Sequence, residues 1–104
     1  MNVVRITISK YDNLHATQLA SCLSTMFQTN TTVTPMMFHR AVTADDYCHS
    51  QGCIIEFATL FRGLKLEEML NDTVPYYREY VPDALIEVYV QEKQELALAS
   101  YGSI

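Results

Sequence analysis

The chain has 104 residues, 49% of them apolar and 18% charged, with a formal net charge of −5. That length fits one domain, residues 1–104, and that apolar content argues against disorder. The charge is lopsided: residues 53–104 carry nine acidic against four basic side chains, whereas 1–52 balance three against three. An acidic half with no Lys/Arg cluster repels phosphate backbones, so direct nucleic-acid binding is not expected.

The cysteines, Cys22, Cys48 and Cys53, are odd in number and match no disulfide framework. Met1-Asn2-Val3-Val4-Arg5 leads straight into an alternating pattern, with no apolar leader and no run of membrane-spanning length. Reduced thiols in a cytoplasmic protein are the expectation.

Val4, Ile6 and Ile8 alternate with Arg5, Thr7 and Ser9, the period of a half-buried strand. Asp12 or Asn13 can cap the helix that follows, in which Ala16, Leu19, Ala20, Leu23, Met26 and Phe27 recur at three-and-four spacing. His15, Gln18, Ser21, Thr25 and Gln28 fall mostly on its polar side. Asn30-Thr31-Thr32 ends that helix, and residues 33–42 read as a strand in which Pro35 requires an edge or a strand start. Thr43 and Asp46 resemble a capping box and Gly52 suits a helix C-cap, which predicts a short helix over 44–51.

Cys53 to Phe61 is apolar on both faces and reads as a central strand covered on two sides. Leu64, Leu66, Met69 and Leu70 make a short amphipathic helix ending near Asn71-Asp72. Pro75 opens a further helical turn, which Pro82 closes. Leu85 to Val90 alternates as a strand, Gln91 to Gln94 is a polar break, and 95–101 reads as a last strand. The result is an α+β fold: a mainly antiparallel sheet with helices on one face, in ferredoxin-like βαββαβ order with an extra C-terminal strand. Leu19, Leu23, Phe27, Ile55, Phe57 and Val88 are its expected core.

Chemistry-bearing clusters are incomplete. Cys48, His49 and Cys53 have the donor types of a zinc site but lack a second ligand pair, so no metal is expected. His39 suits a general base only with a carboxylate behind it. Asp45-Asp46 with Glu56 could hold a cation, yet carboxylates in a helix's first turn are favoured anyway. Gly52, Gly63 and Gly102 are too scattered for a phosphate loop, so neither a cofactor nor a catalytic set is assigned.

Tyr76-Tyr77-Arg78-Glu79-Tyr80 stands out. Three tyrosines and an arginine within five residues are the types enriched at binding hot spots. The expectation is a small non-enzymatic regulator, an inhibitor or adaptor, that binds another protein through Tyr76, Tyr77, Arg78 and Tyr80 with the acidic Glu87 and Glu92. A homodimer is one form such pairing can take. The alternative is a small dimeric enzyme or ligand-binding protein with a pocket between sheet and helices, His39, Tyr47, Cys48 and Tyr89 supplying its polar groups.

Overall fold

The computed structural model describes residues 1–41 and 47–92, with 38–41 and 47–50 described by backbone alone. Strand β1 (Asn2–Ile8) takes its alternation from the sequence: Val4, Ile6 and Ile8 are fully buried and Arg5 is exposed. Asp12 sits in extended backbone and accepts the His15 N–H, starting helix α1 (Asn13–Phe27). The helix ends where Gln28 turns left-handed at φ 51° and the Thr29 N–H returns to the Ser24 carbonyl. Its buried stripe is Ala16, Leu19, Ala20, Leu23 and Phe27.

Strands β2 (Thr32–Ala41) and β3 (Tyr47–Thr59) form a long antiparallel hairpin, from Thr32 opposite Glu56 to Ala41 opposite Tyr47. Helix α2 (Gly63–Thr73) follows, then the single turn α3 (Tyr76–Tyr80) and strand β4 (Ile86–Glu92). Gly63 stands at φ +63°, the left-handed region, where a side chain is strained. The sheet order is β2-β3-β1-β4, every pair antiparallel. This is the ferredoxin-like arrangement, with β1 and β3 interior and β2 and β4 at the edges among the described strands. Pro35 lies on edge strand β2, where its missing N–H interrupts no sheet interior.

Three expectations need correction. Residues 47–51 are strand, not helix, and Gly52 lies inside β3 opposite Met36 rather than capping a helix. The capping-box pattern is a weak local preference, and ten consecutive cross-strand pairs outweigh it. The expected start of that helix, residues 44–46, lies outside the described residues, as does the expected strand over 95–101.

The second correction concerns β3. It is central in the sheet but buried on one face only: Cys53, Ile55 and Phe57 are buried, while Ile54, Glu56 and Ala58 are half-exposed. All three helices lie on the Cys53 side. The third concerns Val88. Its register opposite Ile6 aims it at the helix layer, yet it is 43% exposed because β4 is outermost among the described strands and the described helices do not cover it. Leu19, Leu23, Phe27, Ile55 and Phe57 are all buried as expected. Phe27 and Phe57 rings meet at 4.7 Å across the helix–sheet interface.

Candidate functional site

The tyrosine-rich segment folds as α3 and packs along α1. Tyr77 points inward: it is fully buried, and its hydroxyl donates to the Lys10 carbonyl (2.7 Å) and accepts the Asp12 N–H (2.8 Å). Burial holds its phenol above the ordinary value. Tyr77 therefore belongs to the core, and its expected place on a binding surface is corrected. A one-turn helix must bury one side to be held at all, and Tyr77 is the side chain that anchors it.

Tyr76 and Tyr80, four residues apart, share the opposite side, with ring centroids 5.0 Å apart. Tyr80 stacks flat on His15 of α1, centroids 4.2 Å apart and planes within 13°, yet stays 52% exposed. The Tyr76 hydroxyl donates to Gln18 Oε1 at 3.0 Å. Contact with the Tyr80 hydroxyl first, then desolvation, raise the Tyr76 phenol above its ordinary value, and Glu79 and Cys22 add to that effect. The stripe His15, Gln18, Cys22 on α1 thus meets the pair Tyr80, Tyr76 on α3, forming an aromatic ledge on the surface.

His15 is fixed from below by Asp12, whose Oδ2 pairs with both the His15 backbone N–H and its Nδ1. The backbone N–H first, and the His15 side chain second, hold the Asp12 carboxyl below its ordinary range. The sign follows: a depressed folded-state pKa contributes stability above the unfolded value and loses it as pH falls through the folded one. Melting temperature should therefore fall as pH drops below about 4. In Asp12→Ala the neutral-pH melting temperature should be lower and that acid-side fall shallower, whereas Asp12→Asn keeps the cap and should retain much of the neutral stability.

Arg78 is exposed and makes no ion pair among the described residues. Glu87 and Glu92 do not share a face. Glu87 is opposite Thr7 on the helix-free side, beside the 61%-exposed Tyr89. Glu92 is opposite the buried Asn2 and lies 3.7 Å from Arg62. These two carboxylates are consequently on opposite sides of the sheet, and neither joins the ledge. Register makes this unavoidable, because residues an odd number apart on a strand face opposite ways.

Of the metal-donor candidates, Cys53 is sealed in the core and burial pushes its thiol up to about 11, which disfavours the thiolate a metal needs. Glu56 is engaged by Arg5 at 2.9 Å. The hairpin register sets His39 opposite His49 and Arg40 opposite Cys48, and Asp45-Asp46 lie outside the described residues. No cluster of three or more His, Cys, Asp or Glu able to hold a metal exists among the described residues. Nor is any helix among them long and apolar enough to cross a membrane.

Sequence reasoning missed His15, Gln18, Cys22 and Asp12. The signal was present: His15, Gln18 and Cys22 repeat at helical spacing on the polar side of α1. Nothing in one sequence says that α3 lies against that side.

A concavity of about 400 Å³ opens between α2 and β4 where Val88 is uncovered. Leu66, Leu70, Val74, Val88 and Val90 line it, with Asn2, Glu67 and Asn71 among its polar groups. Tyr89 is on the other face of the sheet and takes no part.

No family model and no curated protein matches the chain. Solved structures do match in fold. The divalent cation tolerance protein CutA1 of Thermus thermophilus superposes with a TM-score of 0.61 at 13% identity, over 95% of this chain and 93% of that one. The PII-like protein CutA of Nostoc sp. PCC 7120, solved in apo form, gives 0.61 at 17% identity, over 97% and 89%. CutA1 of Oryza sativa gives 0.56 at 14%, over 93% and 85%. At such identities the likeness is one of fold: this chain shares the ferredoxin-like architecture of CutA-type proteins.

Proposed function

We propose that this chain is a small non-enzymatic binding protein that regulates another protein by docking it on the α1–α3 ledge. One observation carries the reading: Tyr80 stays half-exposed although it is stacked on His15 and braced by Tyr76. Rings already held by neighbours lose little conformational freedom on binding, and two such rings together provide the contact area typical of hot spots. Arg78 and Glu79, exposed on the same turn, supply a polar rim. Glu87 and Glu92 act at a distance, by charge, on how the partner approaches. A cytoplasmic, reducing setting goes with this reading, supported by the exposed free thiol of Cys22.

The informative variant is Tyr76→Ala/Tyr80→Ala, because Tyr77 is structural. It should fold with a near-native melting temperature and lose partner binding by more than about 2 kcal/mol, the usual hot-spot threshold. Partner binding is followed by affinity capture from host extract with wild-type and variant bait. A folded variant that captures the same protein as strongly as the wild type defeats the reading.

The groove between α2 and β4 favours a second reading, a ligand-binding protein for a small apolar molecule. Its wall is aliphatic, and no set of titratable groups converges in it as an enzyme site requires.

A further inference from the structure

Beside the ledge lies a cleft of about 320 Å³, bounded by Gln18, Leu19 and Cys22 of α1 and by Asp72, Thr73 and Tyr76 at the α2–α3 corner. We infer that this cleft receives the side chain of an arginine from the partner protein; the inference rests on the protein-binding reading above and names the partner's chemistry. Leu19 is fully buried and Thr73 is 3% exposed, so together they make a closed floor. The Thr73 hydroxyl donates to the Met69 carbonyl, so only its acceptor lone pairs remain for a guest. The Tyr76 ring forms one wall.

Asp72 supplies the charge. It is exposed, with no ion pair among the described residues, and it sits in the last turn of α2, which carries no basic residue. A carboxylate there faces the negative end of the helix dipole, an unfavourable placement that an external cation relieves. Glu79 adds negative potential near Tyr76. An apolar floor, an aromatic wall and a carboxylate at the rim together match a long side chain with an apolar stem and a cationic head. Arginine fits better than lysine, because its planar guanidinium stacks on a ring while pairing with a carboxylate. The chain's own Arg78 does not fill the role, since it makes no ion pair with Asp72.

Cys22 on the cleft wall provides the readout. The purified protein is mixed with millimolar Ac-Gly-Arg-Gly-NH2, or with the neutral citrulline peptide of nearly the same shape. Iodoacetamide labelling of Cys22 is then followed by mass spectrometry of its proteolytic fragment. The arginine peptide should slow Cys22 labelling saturably and the citrulline peptide should not. Asp72→Asn should weaken that protection about fivefold or more, in line with loss of a charge-assisted contact, while the free protein's melting temperature stays level or rises. Equal protection by both peptides, undiminished protection in Asp72→Asn, or no protection at all overturns the inference. Partner capture separates it from the broader reading: capture lost in Tyr76→Ala/Tyr80→Ala but intact in Asp72→Asn leaves the ledge standing and removes the arginine cleft.

Discussion

Replacing Tyr77 by phenylalanine should destabilise the protein by about 1–3 kcal/mol, the net worth of two hydrogen bonds at about 0.5–1.5 kcal/mol each. Two groups lose their partner at once, the Lys10 carbonyl and the Asp12 N–H. Both belong to the short link between β1 and α1, so the damage reaches the N-cap of α1. Tyr77→Ala removes the ring as well and should cost about 3–5 kcal/mol, the usual range for deleting a buried aromatic. Urea unfolding at pH 7 measures both. The phenol adds an alkaline signature. Its folded pKa is raised, so its contribution is complete below the unfolded value near 10 and fades as pH climbs beyond it. Cys53, raised to about 11, acts in the same direction from a lower starting point. The alkaline loss of stability should therefore be reduced in Tyr77→Phe and further reduced when Cys53→Ala is added. A Tyr77→Phe protein as stable as the wild type would show that the two hydrogen bonds carry no weight.

Leu23→Ala should cost about 2–5 kcal/mol, because the site is fully buried and the cavity has little means of collapsing. Leu23 lies midway along the buried stripe of α1 between Leu19 and Phe27. Leu14 on the same helix is the control: it is 60% exposed, and Leu14→Ala should stay within about 0.5 kcal/mol. The urea midpoints report the contrast, and similar values for the two variants would contradict the assigned helix face.

The fold was legible in the sequence wherever one face of an element is clearly apolar. Val4-Ile6-Ile8 and the α1 stripe were readable because their periods differ and neither is interrupted. Residues 47–51 misled, because Thr43, Asp46 and Gly52 mimic helix boundaries while pairing with β2 is a long-range event that local residue preference does not record. Val88 misled differently: alternation reveals which residues share a face but not whether anything covers it. The candidate site was half legible. Tyrosine enrichment located α3, and four-residue spacing paired Tyr76 with Tyr80. Which tyrosine points inward depends on the direction from which α1 and β1 approach, and only the packed structure supplies that. Glu87 and Glu92 looked like one acidic patch because charge was counted along the chain, whereas a strand distributes it to two sides.

The strand order has a consequence for how the molecule comes into being. β1, which precedes the other described strands in the chain, is interior to the sheet, and one of its neighbours is β4, the last described. Asn2 faces Glu92 and Ile8 faces Ile86, so this seam joins the two ends of the described chain. Closing so large a loop costs entropy before any contact rewards it, which places the β1–β4 seam late in folding. The β2–β3 hairpin closes locally and is free to form early. During synthesis β1 must therefore wait with one hydrogen-bonding edge open until Ile86–Glu92 has left the ribosome. An open edge on an apolar strand invites pairing with other chains. The nascent protein accordingly keeps one aggregation-prone edge on β1 even after β3 has paired, until β4 emerges.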